Sequence, residues 1–105
     1  MKVTILNSAI LTSTGEFKLS DISLSDAKEL IKEGFTSAIG HESTAEIITT
    51  LLETEVKMNR IQFAQEVGQV ALIFKLLSRP EEGKILNIQE IEKIGYKFQK
   101  LERNL

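Results

Sequence analysis

The chain has no cysteine and no tryptophan, and only one proline and one histidine among its 105 residues. Without cysteine there are no disulfides, no thiolate nucleophile and no cysteine-ligated metal site, and the composition fits a reducing cytoplasm. A lone histidine excludes the paired-imidazole spacings of zinc sites. Neither a calcium loop nor a Gly-Lys-Ser/Thr phosphate loop is present, and there is no Gly-x-Ser-x-Gly nucleophile elbow. No metal and no cofactor are therefore expected. No apolar run approaches the roughly 20 residues that cross a bilayer, and the opening Met1-Lys2-Val3 begins a strand-like run rather than a signal peptide. No membrane partner is expected, and the location expected is the cytoplasm, that of the host cell if a virus or mobile element encodes the chain. An excess of positive charge is also missing. The formal net charge of −2 argues against binding to long nucleic acids, which favour a basic face.

What is present suits one ordinary domain spanning residues 1–105, with 42% hydrophobic and 27% charged residues. Lys2 to Leu6 reads as a strand that ends at Asn7-Ser8. The alternation around Phe17 and Leu19 predicts a half-exposed strand over Glu16 to Ile22. Ser23 or Ser25 caps a helix whose buried stripe is Ala27, Leu30 and Ile31, and Gly34 stops it. A strand over Phe35 to Ile39 leads into a second helix with a wide apolar face of Ala45, Ile47, Ile48, Leu51 and Leu52.

Ile61 to Ala64 predicts another strand, followed by a hairpin turn at Val67-Gly68-Gln69. Val70 to Leu77 is almost wholly apolar, the pattern of a strand covered on both faces. After a polar loop over Ser78 to Lys84, Asn87-Ile88-Gln89-Glu90 opens a short helix with Ile88 and Ile91 inward, ended by Gly95. Tyr96 to Leu101 alternates as a last strand. The expected fold is α/β, a mixed sheet of five or six strands with three helices.

The stretch Ser37-Ala38-Ile39-Gly40-His41-Glu42-Ser43-Thr44 concentrates the chemistry. Its order predicts strand, tight turn and helix start. A helix start exposes unpaired N–H groups and the positive end of the dipole to an anion. Gly40 lets backbone approach a ligand, Ser43 and Thr44 add hydroxyls, and His41 can transfer a proton near neutral pH. The plainer alternative is a capped helix with a surface histidine. Asn7 at a strand end, Glu81 and Glu82, and the cations Arg60, Arg79 and Lys84 complete the candidates, each with an equally plain reading as a turn or surface residue. Together they suit cleavage of RNA by its own 2′-hydroxyl, which needs in-line geometry, cations on the phosphate and an acid for the leaving 5′-oxygen. Composition and spacing permit that reaction without selecting it.

Three motifs do select it. Ile39-Gly40-His41-Glu42-Ser43-Thr44, Asn59-Arg60-Ile61 and Arg79-Pro80-Glu81-Glu82-Gly83-Lys84-Ile85-Leu86 resemble the viral ring nucleases, anti-CRISPR proteins of type III systems, over nearly the whole chain. Pro80 stands where archaeal members carry leucine, and the residues after Asn7 depart from the pattern of some members.

The resemblance implies a homodimer that binds cyclic tetra-adenylate across its two-fold axis. It further implies metal-independent cleavage of that second messenger to linear di-adenylate with a 2′,3′-cyclic phosphate, which switches off type III CRISPR signalling. It assigns catalysis to His41 and Glu82 and substrate contact to Arg79, in a loop over Ser78 to Lys84, with Asn7, Gly40, Ser43, Arg60 and Lys84 as further candidate binding residues. The competing expectation is a binding module without catalysis, either a nucleotide sponge or a dimeric adaptor of a mobile element.

Overall fold

The computed structural model describes residues 2–78 and 87–105. Its elements are β1 (Val3–Asn7), β2 (Phe17–Ile22), α1 (Leu24–Leu30), β3 (Phe35–Ser37), α2 (Glu42–Leu52), β4 (Val70–Leu76), α3 (Ile88–Ile94) and β5 (Tyr96–Arg103). The strands form one mixed sheet in the order β2-β5-β4-β1-β3, so the expected α/β fold of five strands and three helices is what the chain adopts. β1 pairs in parallel with β3 (Val3 opposite Phe35, Ile5 opposite Ser37) and with β4 (Thr4 opposite Ala71, Asn7 opposite Phe74). β5 runs antiparallel to both β4 and β2. The carboxyl ends of β1, β3 and β4 therefore lie at one end of the sheet, where His41 and the β4–α3 connection also begin.

Alternation along the strands divides the core in two. Ile5, Leu72, Phe74 and Phe98 face the helices and pack with Ala27 and Ile31 of the α1 region, with Ala45, Ile48, Leu51 and Leu52 of α2, and with Ile91 of α3. Phe74, Tyr96 and Phe98 form a ring cluster, with the Phe74 and Phe98 centroids 5.4 Å apart. Burying each such aliphatic or aromatic side chain stabilises the fold by roughly 1.5–3 kcal/mol. A smaller cluster of Leu6, Ala71, Ile73 and Leu101 occupies the other face under Phe17, Ala38 and Phe63.

The helix starts follow their sequence signals. Ser23 Oγ accepts from Asp26 N at 3.0 Å and Asn87 Oδ1 accepts from Glu90 N at 2.9 Å, each satisfying an orphan donor of a first turn. Gly95, at φ 88°, takes the left-handed conformation that lets α3 end and β5 begin at once.

Three expectations need correction. Residues 55–69 contain no strand. Phe63 instead packs across the second sheet face, while Gln65 N donates to Thr12 Oγ1 and the Gln65 amide donates to the Gln69 and Leu101 carbonyls. Phe63 thus covers a sheet instead of joining one, and Ile61 is left exposed. The turn at Val67-Gly68 exists, closed by Gln69 N donating to Glu66 O at 3.0 Å, but it enters β4 without a preceding hairpin strand. Ile88 is not inward: it is 47% exposed, and Ile91 carries the buried position of α3.

Candidate functional site

Ligand sites of α/β sheets form outside the carboxyl ends of parallel strands, where loops and helix N-termini converge. At that end of this sheet lie Asn7, the last residue of β1, and the Ala38-Ile39-Gly40-His41 passage from β3 into α2. Asn7 is exposed, and Ser8 after it holds φ 101°, a backbone conformation that side chains other than glycine rarely adopt.

His41 is the N-cap residue of α2, with an extended backbone (φ −131°, ψ 130°) and no side-chain capping hydrogen bond. Its carbonyl accepts from Ala45 N at 3.1 Å, the first bond of the helix. An ordinary N-cap would be serine, threonine or aspartate, whose oxygen satisfies a first-turn N–H. The imidazole is exposed instead and leaves those donors free. The adjoining residues Glu42 and Ser43 are exposed as well, whereas Thr44 is half-buried. Behind this turn the chain is anchored by Ile39 and Ile48, both fully buried, and by Ala45.

The turn is held from outside by residues 56–60. Val56 is buried, and both of its backbone groups pair with the Thr49 hydroxyl, at 2.9 and 3.1 Å. From there the chain passes along the free edge of β3. Ser37 Oγ donates to Lys57 O at 2.6 Å, Asn59 N donates to Ile39 O and Asn59 Nδ2 to Ser37 O, both at 2.8 Å. Arg60 Nε then donates to Gly40 O at 2.8 Å. Among the described residues the terminal nitrogens of Arg60 have no partner, so the guanidinium combines a fixed stem with free donors next to His41. Among the described residues, a Cβ on Gly40 would meet only Arg60 Cγ, at 3.8 Å, an ordinary van der Waals contact.

The structure thus brings His41, Gly40 and Arg60 together, with Ser43 in the first turn of α2 and Asn7 at the end of β1, the strand paired with β3. Arg79, Glu82 and Lys84 lie outside the described residues. Ser37, Asn59 and Ser8 all stood in stretches that the sequence singled out, but neither the bonds of Ser37 and Asn59 nor the positive φ of Ser8 was foreseen. The Asn59-Arg60 pair was visible as a motif, but its bonds run to positions about twenty residues earlier, which no local pattern reveals. A separate depression of about 690 Å³ is lined by Glu42, Ser43, Glu46, Val56, Lys57 and Met58 among others, and does not include His41. Asp21, on the opposite edge strand, is held below the usual carboxylate range by the Gln99 amide and the Lys97 ammonium.

These features define a small α/β domain whose strand ends and helix start present one unengaged histidine beside a guanidinium. The chain belongs to the STIV B116-like family, whose model matches residues 3–98. It is 41% identical over 98 residues to protein 26 of Sulfolobus islandicus filamentous virus, covering 88% of this chain and 83% of that one. It is 35% identical over 106 residues to YddF of Bacillus subtilis, covering 98% of each. The solved structure of B116 of Sulfolobus turreted icosahedral virus superposes with a TM-score of 0.82 at 28% identity, covering 97% of this chain and 99% of that one.

Proposed function

We propose that the protein is a metal-independent ring nuclease that cuts cyclic tetra-adenylate into two linear di-adenylates ending in 2′,3′-cyclic phosphates, and so acts as an anti-CRISPR against type III signalling. The observation that carries this reading is His41 itself: it sits at the N-cap of α2 with its imidazole exposed and unspent, beside Arg60 and the backbone of Gly40. A phosphodiester seated there meets the free N–H groups of the helix start and the positive end of its dipole.

In the step proposed, a ribose 2′-hydroxyl gives up its proton to solvent and its oxygen attacks the adjacent phosphorus, forming the 2′-O–P bond as the bond from phosphorus to the 5′-oxygen breaks. His41 gives its proton to that departing oxygen, and Arg60 and the amides of the turn offset the charge that builds on the non-bridging oxygens. The resemblance to ring nucleases assigns Glu82 to catalysis and Arg79 to a substrate contact, and Lys84 is a further candidate cation. The reaction uses no external nucleophile, so it tests itself. A ring with 2′-deoxyriboses is expected to bind and to stay intact under conditions that consume the ribose ring. Cleavage of the deoxy ring would show that the attacking oxygen is not the internal hydroxyl.

A further inference from the structure

We infer that Asn59 is a positioning residue for His41, acting through the backbone of residues 37–40 without touching the ligand; its catalytic consequence rests on the ring-nuclease reading above. β3 is only three residues long and is bonded to the sheet on one side alone, through β1. Beyond it, residues 38–41 have no regular structure, and the inner edge contributes one further bond, Ala38 N to Ile5 O at 3.0 Å. His41 has no side-chain bond of its own at the helix start, so the place of its ring is set by the backbone that precedes it.

Asn59 supplies the missing outer edge. Its N–H takes the Ile39 carbonyl and its side-chain amide takes the Ser37 carbonyl, both at 2.8 Å. Those carbonyls stand two and four residues before His41. The frame that carries Asn59 is rigid, since Val56 is buried and doubly bonded to Thr49, and Ser37 Oγ closes onto Lys57 O. Asn59 itself is exposed, so its side chain does little for core packing. Its amide is spent on the strand end, which separates it from Arg60, whose terminal nitrogens stay free for a phosphate. A misplacement of about 1 Å at a reacting group is enough to cost on the order of 100-fold in rate.

The test compares the full-length wild type, Asn59→Ala, Asn59→Asp and Ser37→Ala. Alanine keeps the backbone bond to Ile39 and removes only the amide, while aspartate puts a second acceptor against the Ser37 carbonyl. Without ligand, hydrogen exchange of the amides of residues 38–42 should quicken about tenfold in Asn59→Ala and more in Asn59→Asp, with core amides unchanged. The NMR signal of His41, unambiguous in a one-histidine chain, should shift or broaden in the same variants. Single-turnover cleavage of cyclic tetra-adenylate should fall roughly 10–100-fold with binding within about threefold. In a His41→Ala background the Asn59→Ala change should cause no further loss. Ser37→Ala, which removes the Oγ bond to Lys57 O and the bond that Oγ accepts from Ile39 N, should loosen the amides of residues 40–42 if Asn59→Ala proves hard to fold. Unchanged exchange at 38–42, or an equal loss with and without His41, would overturn the inference. If the wild type fails to cut the ring at all, the ring-nuclease reading falls alone, and the exchange and His41 signals still decide the role of Asn59.

Discussion

At the scale of single residues, His41 and Gly40 divide the work of the turn. The fold does not require glycine at position 40: its φ is not in the left-handed region, and an added Cβ would make ordinary contact with Arg60 Cγ at 3.8 Å. On the proposed function, the absence of a side chain there leaves room for a ligand to reach the backbone. Gly40→Ala should therefore melt within about 3 °C of the wild type while binding the cyclic nucleotide on the order of tenfold more weakly, because the methyl group stands where a phosphate would meet the backbone. Thermal denaturation and a ring-binding titration measure the two effects separately. Undiminished affinity would mean that the ligand does not come close to Gly40. Ser8, at φ 101° directly after Asn7, is the other residue whose backbone departs from what a strand end needs, and it borders the same end of the sheet.

At the scale of elements, legibility followed periodicity. Val70 to Leu76 could be read as a central strand because both of its faces are covered, by Phe74 and its helical neighbours on one side and by Ile73 and Leu101 on the other. α2 was equally legible, since Ala45, Ile47, Ile48, Leu51 and Leu52 form one buried stripe. Residues 55–69 were misread because an apolar residue such as Phe63 looks the same whether it joins a sheet or lies across one. What distinguishes the two is long-range bonding through Asn59, Arg60 and Gln65. His41 and Gly40 were legible as a site, but their support by Asn59 was not, for the same reason. The β2–β5 edge offers an independent check of the local electrostatics. Asp21 accepts from Gln99 Nε2 at 2.9 Å and faces Lys97 Nζ at 3.6 Å, with Lys75 adding to the field. Its pKa is lowered on folding, so its contribution to stability is present above the ordinary carboxylate range of about 4 and disappears as pH falls through the lowered folded value. Asp21→Asn should be slightly less stable than the wild type near neutrality, and the difference should close as the pH approaches roughly 2. Urea unfolding at the two pH values measures it, and a gap that persists in acid would show that packing, not charge, distinguishes the variants.

At the scale of the whole molecule, the ring-nuclease proposal asks one chain of net charge −2 to hold a ring whose four phosphates carry about −4. A two-fold assembly doubles the donors and gives the site the symmetry of its ligand. β5 offers no surface for such an assembly, since it lies between β2 and β4 and Phe98 is 1% exposed. The aliphatic side chains left uncovered include Ile10, Leu11 and Ile61, of which Leu11 is 63% exposed and precedes Thr12, the residue that ties its segment to Gln65. The protein is expected to sediment as a dimer at micromolar concentration, and Leu11→Glu to shift it towards monomer with loss of activity. An active monomer would contradict the two-fold site. The family is shared by viruses of Sulfolobus and Acidianus and by Bacillus subtilis, so the account of His41 applies to whichever of these chains carry the same turn. Its central claim is tested most directly by incubating the wild type and His41→Ala with cyclic tetra-adenylate in excess EDTA and resolving the products. The wild type should yield linear di-adenylate with a 2′,3′-cyclic phosphate, and His41→Ala should bind the ring yet cut it on the order of 100- to 10,000-fold more slowly. An intact ring after incubation with the wild type, or equal rates for the two proteins, would contradict the account.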